Sequence, residues 1–155
     1  MRHKKAPKRE VSPDLKYGST EVAKFINYVM ERGKKSTARK VVYDAFAQIE
    51  KEGKKDPVQV FDEAMKNVGP TLEVRSKRVG GANYQIPYPV RVERRFFLAS
   101  HWIMTAARAR KGAPMAQKLA QELIQAAQGE GTAVKKRMDV HKMAEANRAF
   151  AHFAR

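Results

Sequence analysis

Leu72-Glu-Val-Arg-Ser-Lys-Arg-Val-Gly-Gly-Ala-Asn-Tyr-Gln-Ile-Pro-Tyr-Pro-Val90 is the stretch on which the fold turns. Leu72, Val74 and Ser76 alternate with Glu73, Arg75 and Lys77, and Tyr84, Ile86, Tyr88 and Val90 alternate with Gln85, Pro87 and Pro89. A period of two on both sides of Gly80-Gly81-Ala82-Asn83 predicts two strands joined by a glycine-rich turn. Pro87 and Pro89 lack an amide donor, so the second strand must be an edge, and a two-stranded ribbon has only edges. Such a ribbon is marginal alone in water. It is expected to lean on helices at its base and to project its tip toward a partner.

Outward from the ribbon the period is 3.6. Val22, Phe25, Ile26, Val29 and Met30 make the stripe of a first helix that starts behind Ser19 and stops at Gly33. A second helix starts near Ser36, with Ala38, Val41, Val42, Ala45 and Ile49 on one face. A third opens with Asp56 as cap and Pro57 in its first turn, buries Phe61, Ala64, Met65 and Val68, and ends at Gly69-Pro70. Beyond Val90 a fourth buries Leu98, Ala99, Trp102, Ile103 and Ala106. A fifth runs from Pro114 with Ala116, Leu119, Ala120, Leu123, Ile124 and Ala127 inward. A sixth, behind Thr132, has a weaker stripe. The expected fold class is mainly α: a single domain of about six helices with a protruding two-stranded β-ribbon between helices three and four. Residues 1–13 read as a basic flexible arm, and 14–155 as a helical domain with the ribbon at about 72–90.

The chain has 155 residues, 43% of them hydrophobic, which is enough for a packed core. It has no cysteine, which excludes disulfides and thiolate metal sites. No apolar run reaches the roughly 20 residues that span a membrane, so no membrane partner is expected. Lysine and arginine number 32 against 16 acids, a net charge of +16. A surplus of that size repels itself unless a polyanion neutralises it, and nucleic acid is the expected polyanion.

The charge is unevenly placed. The arm holds Arg2, Lys4, Lys5, Lys8 and Arg9. Arg32, Lys34, Lys35, Arg39 and Lys40 crowd the first helix–helix turn, with no acid from 32 to 43. Residues 44–63 hold six acids and three bases, whereas 75–111 hold nine bases and one acid, Glu93. Those nine are Arg75, Lys77, Arg78, Arg91, Arg94, Arg95, Arg108, Arg110 and Lys111. Lys135, Lys136 and Arg137 fall in the first turn of helix six, where cations oppose the helix dipole. A phosphate at that terminus would reverse the sign, with Gly129 and Gly131 admitting it. Tyr84 and Tyr88, beside arginines, suit stacking on unpaired bases. Phe150 and Phe153 stand at an end that would otherwise fray, to be covered either by a partner or by the body of the protein.

Catalytic and cofactor signatures are missing. His3, His101, His141 and His152 have no metal-ligand spacing, and Gly80-Gly81 lacks the Gly-Lys-Ser/Thr ending of a nucleotide loop. No catalytic residue, metal or cofactor is expected. Two rivals remain open beside an RNA-binding assembly protein. One is an architectural DNA-binding protein. The other is a nuclease, for which Glu73, Glu93 and Glu145 would be the acids available to hold Mg²⁺.

Four segments resemble the bacterial family of small-subunit ribosomal protein seven: Phe25-Ile-Asn through Arg32-Gly-Lys-Lys35, Glu73 through Pro87, Gly131-Thr-Ala-Val-Lys-Lys-Arg137, and Met143-Ala-Glu-Ala-Asn-Arg-Ala-Phe-Ala-His152. The resemblance spans roughly residues 12–153, while the arm matches only in being basic. It implies a non-enzymatic structural constituent of the small subunit that binds the 3′ major domain of its ribosomal RNA and nucleates head assembly. It further implies neighbours in small-subunit proteins nine and eleven, and a place near exit-site transfer RNA and messenger RNA, approached by Gly80, Gly81, Ala82, Asn83, Tyr84 and Arg148. Some members of the family repress their own operon. The length suits a bacterial or plastid-encoded member, in cytoplasm or stroma.

Overall fold

The computed structural model describes residues 10–53 and 56–154. The described chain forms α1 (Thr20–Val29), α2 (Lys35–Gly53), α3 (Pro57–Val68), β1 (Leu72–Val79), β2 (Ala82–Pro89), α4 (Val92–Ala109), α5 (Met115–Ala127) and α6 (Thr132–Ala146). A 3-10 segment, Arg148–Ala154, closes it. This is the mainly helical fold with a ribbon between the third and fourth helices that the periodicity predicts.

Local chemistry sets the ends. Ser19 Oγ accepts the Val22 N–H at 3.4 Å, and Asp56 Oδ1 accepts the Val58 N–H at 3.0 Å, each satisfying a donor that the first turn leaves orphaned. Upstream of α1, buried Asp14 accepts the Tyr43 hydroxyl and the N–H groups of Lys16 and Tyr17, which pins this segment onto α2. Burial first, and then the Asp14 carboxylate, push the Tyr43 hydroxyl above its ordinary pKa.

The core gathers around α5, which packs on α2, α3, α4 and α6. Its Leu119, Ala120, Leu123 and Ala126 have no exposed surface. Each buried leucine contributes about 1.5–3 kcal/mol relative to exposure. Phe25 and Phe46 meet Phe61 edge-on or tilted, with centroids 5.2 and 5.8 Å away. Phe46 is fully buried although it lies outside the expected α2 face, while Val41 is only half-buried. On α3, Asn67 donates to the carbonyls of Ala126 and Ala127, closing the C-terminal end of α5. The expected α5 face is rotated: Leu119, Glu122, Leu123 and Ala126 point inward, and Ala116, Ile124 and Ala127 lie at the margin.

The ribbon is antiparallel from Leu72↔Pro89 to Val79↔Ala82. Its turn is two residues, not the expected four. Gly80 and Gly81 have φ of +57° and +92°, values that glycine adopts without the Cβ penalty, and Ala82 and Asn83 already belong to β2. Arg78, paired with Asn83, therefore stands beside the tip and not on the shaft. The alternation breaks at the base, where Ile86, Pro87 and Glu73 are all buried. β1 packs on α6, and β2 on the 3-10 segment. The ribbon thus touches α6 and the 3-10 segment, while its turn and much of its shaft stay exposed.

Candidate nucleic-acid interface

The structure sorts the predicted cations into two groups. The first is tied to the protein's own groups, although Arg75, Lys77 and Arg94 stay exposed. Arg75 and Arg94 converge on the buried carboxylate of Glu73, through Nε at 2.8 and 3.3 Å, and their guanidinium groups lie over Tyr88 and Phe97. Arg95 donates to the carbonyls of Gly69 and Lys66, which end α3. Lys77 Nζ donates to the Phe153 carbonyl at 2.9 Å. Arg110 donates to Glu122 and Gln125 on α5. Sequence reasoning assigned all five to RNA. Their geometry serves the fold first.

The second group faces outward. Arg32, Lys34, Lys35, Arg78, Arg91, Lys111, Lys135 and Lys136 are exposed, and among the described residues none pairs with an acid. Arg148 is exposed and pairs only with Glu145, one helical turn back. Arg2, Lys4, Lys5, Lys8 and Arg9 lie outside the described residues.

Lys34 of this group stands near Arg108, a predicted cation that does pair with an acid. Lys34 and Glu31 from the α1–α2 turn and Arg108 from the end of α4 line one cavity of about 350 Å³, floored by Val29, Met104 and Met115. Arg108 pairs with Glu31 at 2.6 Å, but both side chains are about half-exposed or more, so the pair is worth at most about 1 kcal/mol and can be traded for a phosphate. In the same turn Arg32 holds a left-handed backbone, φ +51°, ahead of Gly33 at +75°. That conformation costs a non-glycine residue about 1–2 kcal/mol. Lys35 and Arg39 line a second hollow, of about 590 Å³, with Asn27 and residues 10–15.

At the start of α6 one backbone amide already meets the protein's own anion. Glu122, fully buried on α5, accepts the Ala133 N–H at 3.0 Å through Oε1, while Oε2 takes Arg110. Gly131, at φ +93°, lets the carboxylate in: a Cβ there would stand 3.1 Å from Glu122 Oε1. Its small size serves this internal cap, not an approaching RNA backbone.

The tyrosines are also taken. Tyr84 lies 5.0 Å from the Phe150 ring and 5.6 Å from that of Phe153, and Tyr88 faces Arg75. The two phenylalanines dock on the protein's own ribbon, and both tyrosines are half-buried. Gly80, Gly81, Ala82 and Asn83 remain exposed. Sequence reasoning missed His141, whose Nε2 accepts the Thr71 N–H at 3.1 Å and ties α6 to the root of β1. Burial, and then the charges of Arg137 and Arg95, hold its pKa below the ordinary histidine value.

Of the three acids offered for Mg²⁺, Glu73 is spent on two arginines and Glu145 on Arg148. No group of three histidine or acidic side chains among the described residues could hold a metal ion. None of the described helices is long and apolar enough to cross a membrane.

A family model described as "Ribosomal protein S7p/S5e" matches residues 1–148. The chain belongs to that family. Proteins called "Small ribosomal subunit protein uS7" resemble it along nearly its whole length. That of Aromatoleum aromaticum (strain DSM 19018 / LMG 30748 / EbN1) is 55% identical over 152 residues, which cover 98% of this chain and 97% of the relative. Those of Polynucleobacter necessarius subsp. necessarius (strain STIR1) and Burkholderia mallei (strain SAVP1) are 56% and 57% identical over the same shares. As an S7 family member the chain is a structural, non-enzymatic protein of the small ribosomal subunit, with ribosomal RNA as its partner.

Proposed function

We propose that this chain binds the 3′ major domain of small-subunit ribosomal RNA and nucleates assembly of the head, with its ribbon tip near exit-site transfer RNA and messenger RNA and with small-subunit proteins nine and eleven as neighbours. The observation that supports it is the separation of the cations. Five bond to the protein's own groups, while eight exposed ones pair with no acid among the described residues, three of them, Arg32, Lys34 and Lys35, in the α1–α2 turn. Cations without an internal acid bind phosphate backbone through charge, and such contacts fix register without reading sequence.

The test is the double variant Lys34→Ala, Lys35→Ala. By the duplex-DNA rule each lost phosphate contact flattens the slope of log K against log salt by about 0.9. A slope equal to that of the unaltered chain would show that the turn does not touch the backbone. A competition at fixed salt between folded ribosomal RNA and duplex DNA separates this reading from the architectural one. For the exit site, particles assembled with a ribbon shortened by its last two pairs, Arg78 with Asn83 and Val79 with Ala82, should show altered exit-site occupancy. Unchanged occupancy and reading-frame maintenance would remove that part of the proposal.

A further inference from the structure

On the outer face of α4, the Arg94 guanidinium carbon lies 5.1 Å from the Phe97 ring centroid. His101 lies parallel to Phe97, with centroids 5.9 Å apart and planes within 9°. This stack of cation, ring and ring runs along one helix face at spacings of three and four residues. It ends at a mostly apolar slot of about 300 Å³ between α4 and the first turn of α6. His101, Trp102, Thr105 and Ala109 line one side of the slot, and Thr132 and Lys136 the other. Trp102 is half-buried against the core, so the indole is held while part of it stays open.

We infer that this slot receives one unpaired nucleobase of the ribosomal RNA, stacked on Trp102 and His101 with its phosphate on Lys136. The inference rests on the RNA-binding reading above and names a contact within it. Lys135 and Lys136 stand beside a helix start that Glu122 already caps. Both are exposed without an acidic partner, and Lys136 lines the rim of the aromatic-walled slot. An aliphatic side chain from a neighbouring protein would fill the apolar floor and leave Lys136 without an anion. A nucleotide satisfies both, because every base has a π-face and every link carries a charge. Thr105 Oγ1 donates to the His101 carbonyl at 2.8 Å, which leaves its lone pairs as acceptors toward a base edge.

Trp102 is the chain's single tryptophan, so its fluorescence reports the slot alone. The full chain is titrated with a transcript of the 3′ major domain and, separately, with inorganic polyphosphate, which has charge but no bases. The expected result is quenching by the transcript and none by polyphosphate at equal occupancy. Ala109→Leu fills the slot from an exposed position and should abolish the quenching. It should also weaken transcript binding within the roughly 5- to 150-fold range that one stacked base is worth. Lys136→Ala should keep the quenching and flatten the salt slope by about one contact. Three results overturn the inference: transcript binding without quenching, equal quenching by polyphosphate, or Ala109→Leu leaving transcript affinity unchanged while a neighbouring protein is lost from assembled particles. Each of these leaves the RNA-binding reading standing. A transcript that does not bind at all removes both.

Discussion

Replacing Glu122 by glutamine tests whether the start of α6 is capped from inside. The glutamate is fully buried, and its two oxygens face only donors: the Ala133 N–H at 3.0 Å on one, and Arg110 at 3.0 Å on the other. Glutamine has the same shape, but one of its two ends is an NH₂. Whichever way the amide turns, that NH₂ meets either Arg110 or Ala133, so one acceptor is lost and a donor faces a donor. A hydrogen bond involving a charged group contributes about 1.5–3 kcal/mol. Arg110 keeps 26% of its side chain in water, which softens the loss. The expected destabilisation of Glu122→Gln is about 2 kcal/mol, a large share of the roughly 5–15 kcal/mol that holds a domain folded. It should lower Tm by about 4–8 °C in a chain of this size. Urea titrations followed by far-UV circular dichroism give the value, and the pairing is confirmed if Arg110→Met and Glu122→Gln together cost less than their sum. A change below about 0.5 kcal/mol would refute the internal cap, the more so if RNA binding tightened, since the site would then have been open to a phosphate all along.

Three further outcomes are expected. His141 is held below its ordinary pKa by burial and by Arg137 and Arg95, so the folded state disfavours its protonation; its contribution is present above the unfolded value near pH 6.5 and is lost as pH falls from there toward the folded pKa. His141→Gln should flatten the stability–pH profile below about pH 6.5, and an unaltered profile would show that other groups set it. A Cβ at Gly81 meets no atom within 4 Å, but Gly81→Val must hold φ +92°, a left-handed conformation that costs about 1–2 kcal/mol or more for a β-branched residue; amide exchange should speed up in the ribbon and stay slow in α5, and equal loss in both would mean that the ribbon is part of the core. Removing residues 147–155 strips Phe150 and Phe153 from Tyr84, so the ribbon amides from Lys77 to Tyr84 should exchange faster while the helical signal largely remains; a ribbon as protected as before would show that the contact does not stiffen it.

The helices and the ribbon were legible because each rests on a local pattern: 3.6 against 2 residues per period, caps at Ser19 and Asp56, and two glycines where the chain must reverse. The sorting of cations was not legible, since it depends on where acids from other elements arrive. Arg110 meets Glu122 across a loop, and Arg94 meets Glu73 across the ribbon. One sign was available. Glu122 falls in step with Leu119, Leu123 and Ala126, and a carboxylate on an apolar stripe must find partners or remain unsatisfied. The docking of Phe150 and Phe153 on Tyr84, and of His141 on Thr71, joins residues about 70 apart, which no periodicity can indicate.

The position of α5 has a consequence for how the chain is made. α2 and α3 bury their stripes against Leu119, Ala120 and Leu123, which are synthesised after both of them and after the ribbon. At about 5–20 residues per second, roughly 3–12 s separate the addition of Val68 from that of Ala127. During that interval Phe46, Phe61 and Met65 have only part of their final packing. A nascent chain of this fold therefore carries an open apolar groove through more than a third of its synthesis, and occupancy by a chaperone should peak in that window and fall as α5 emerges.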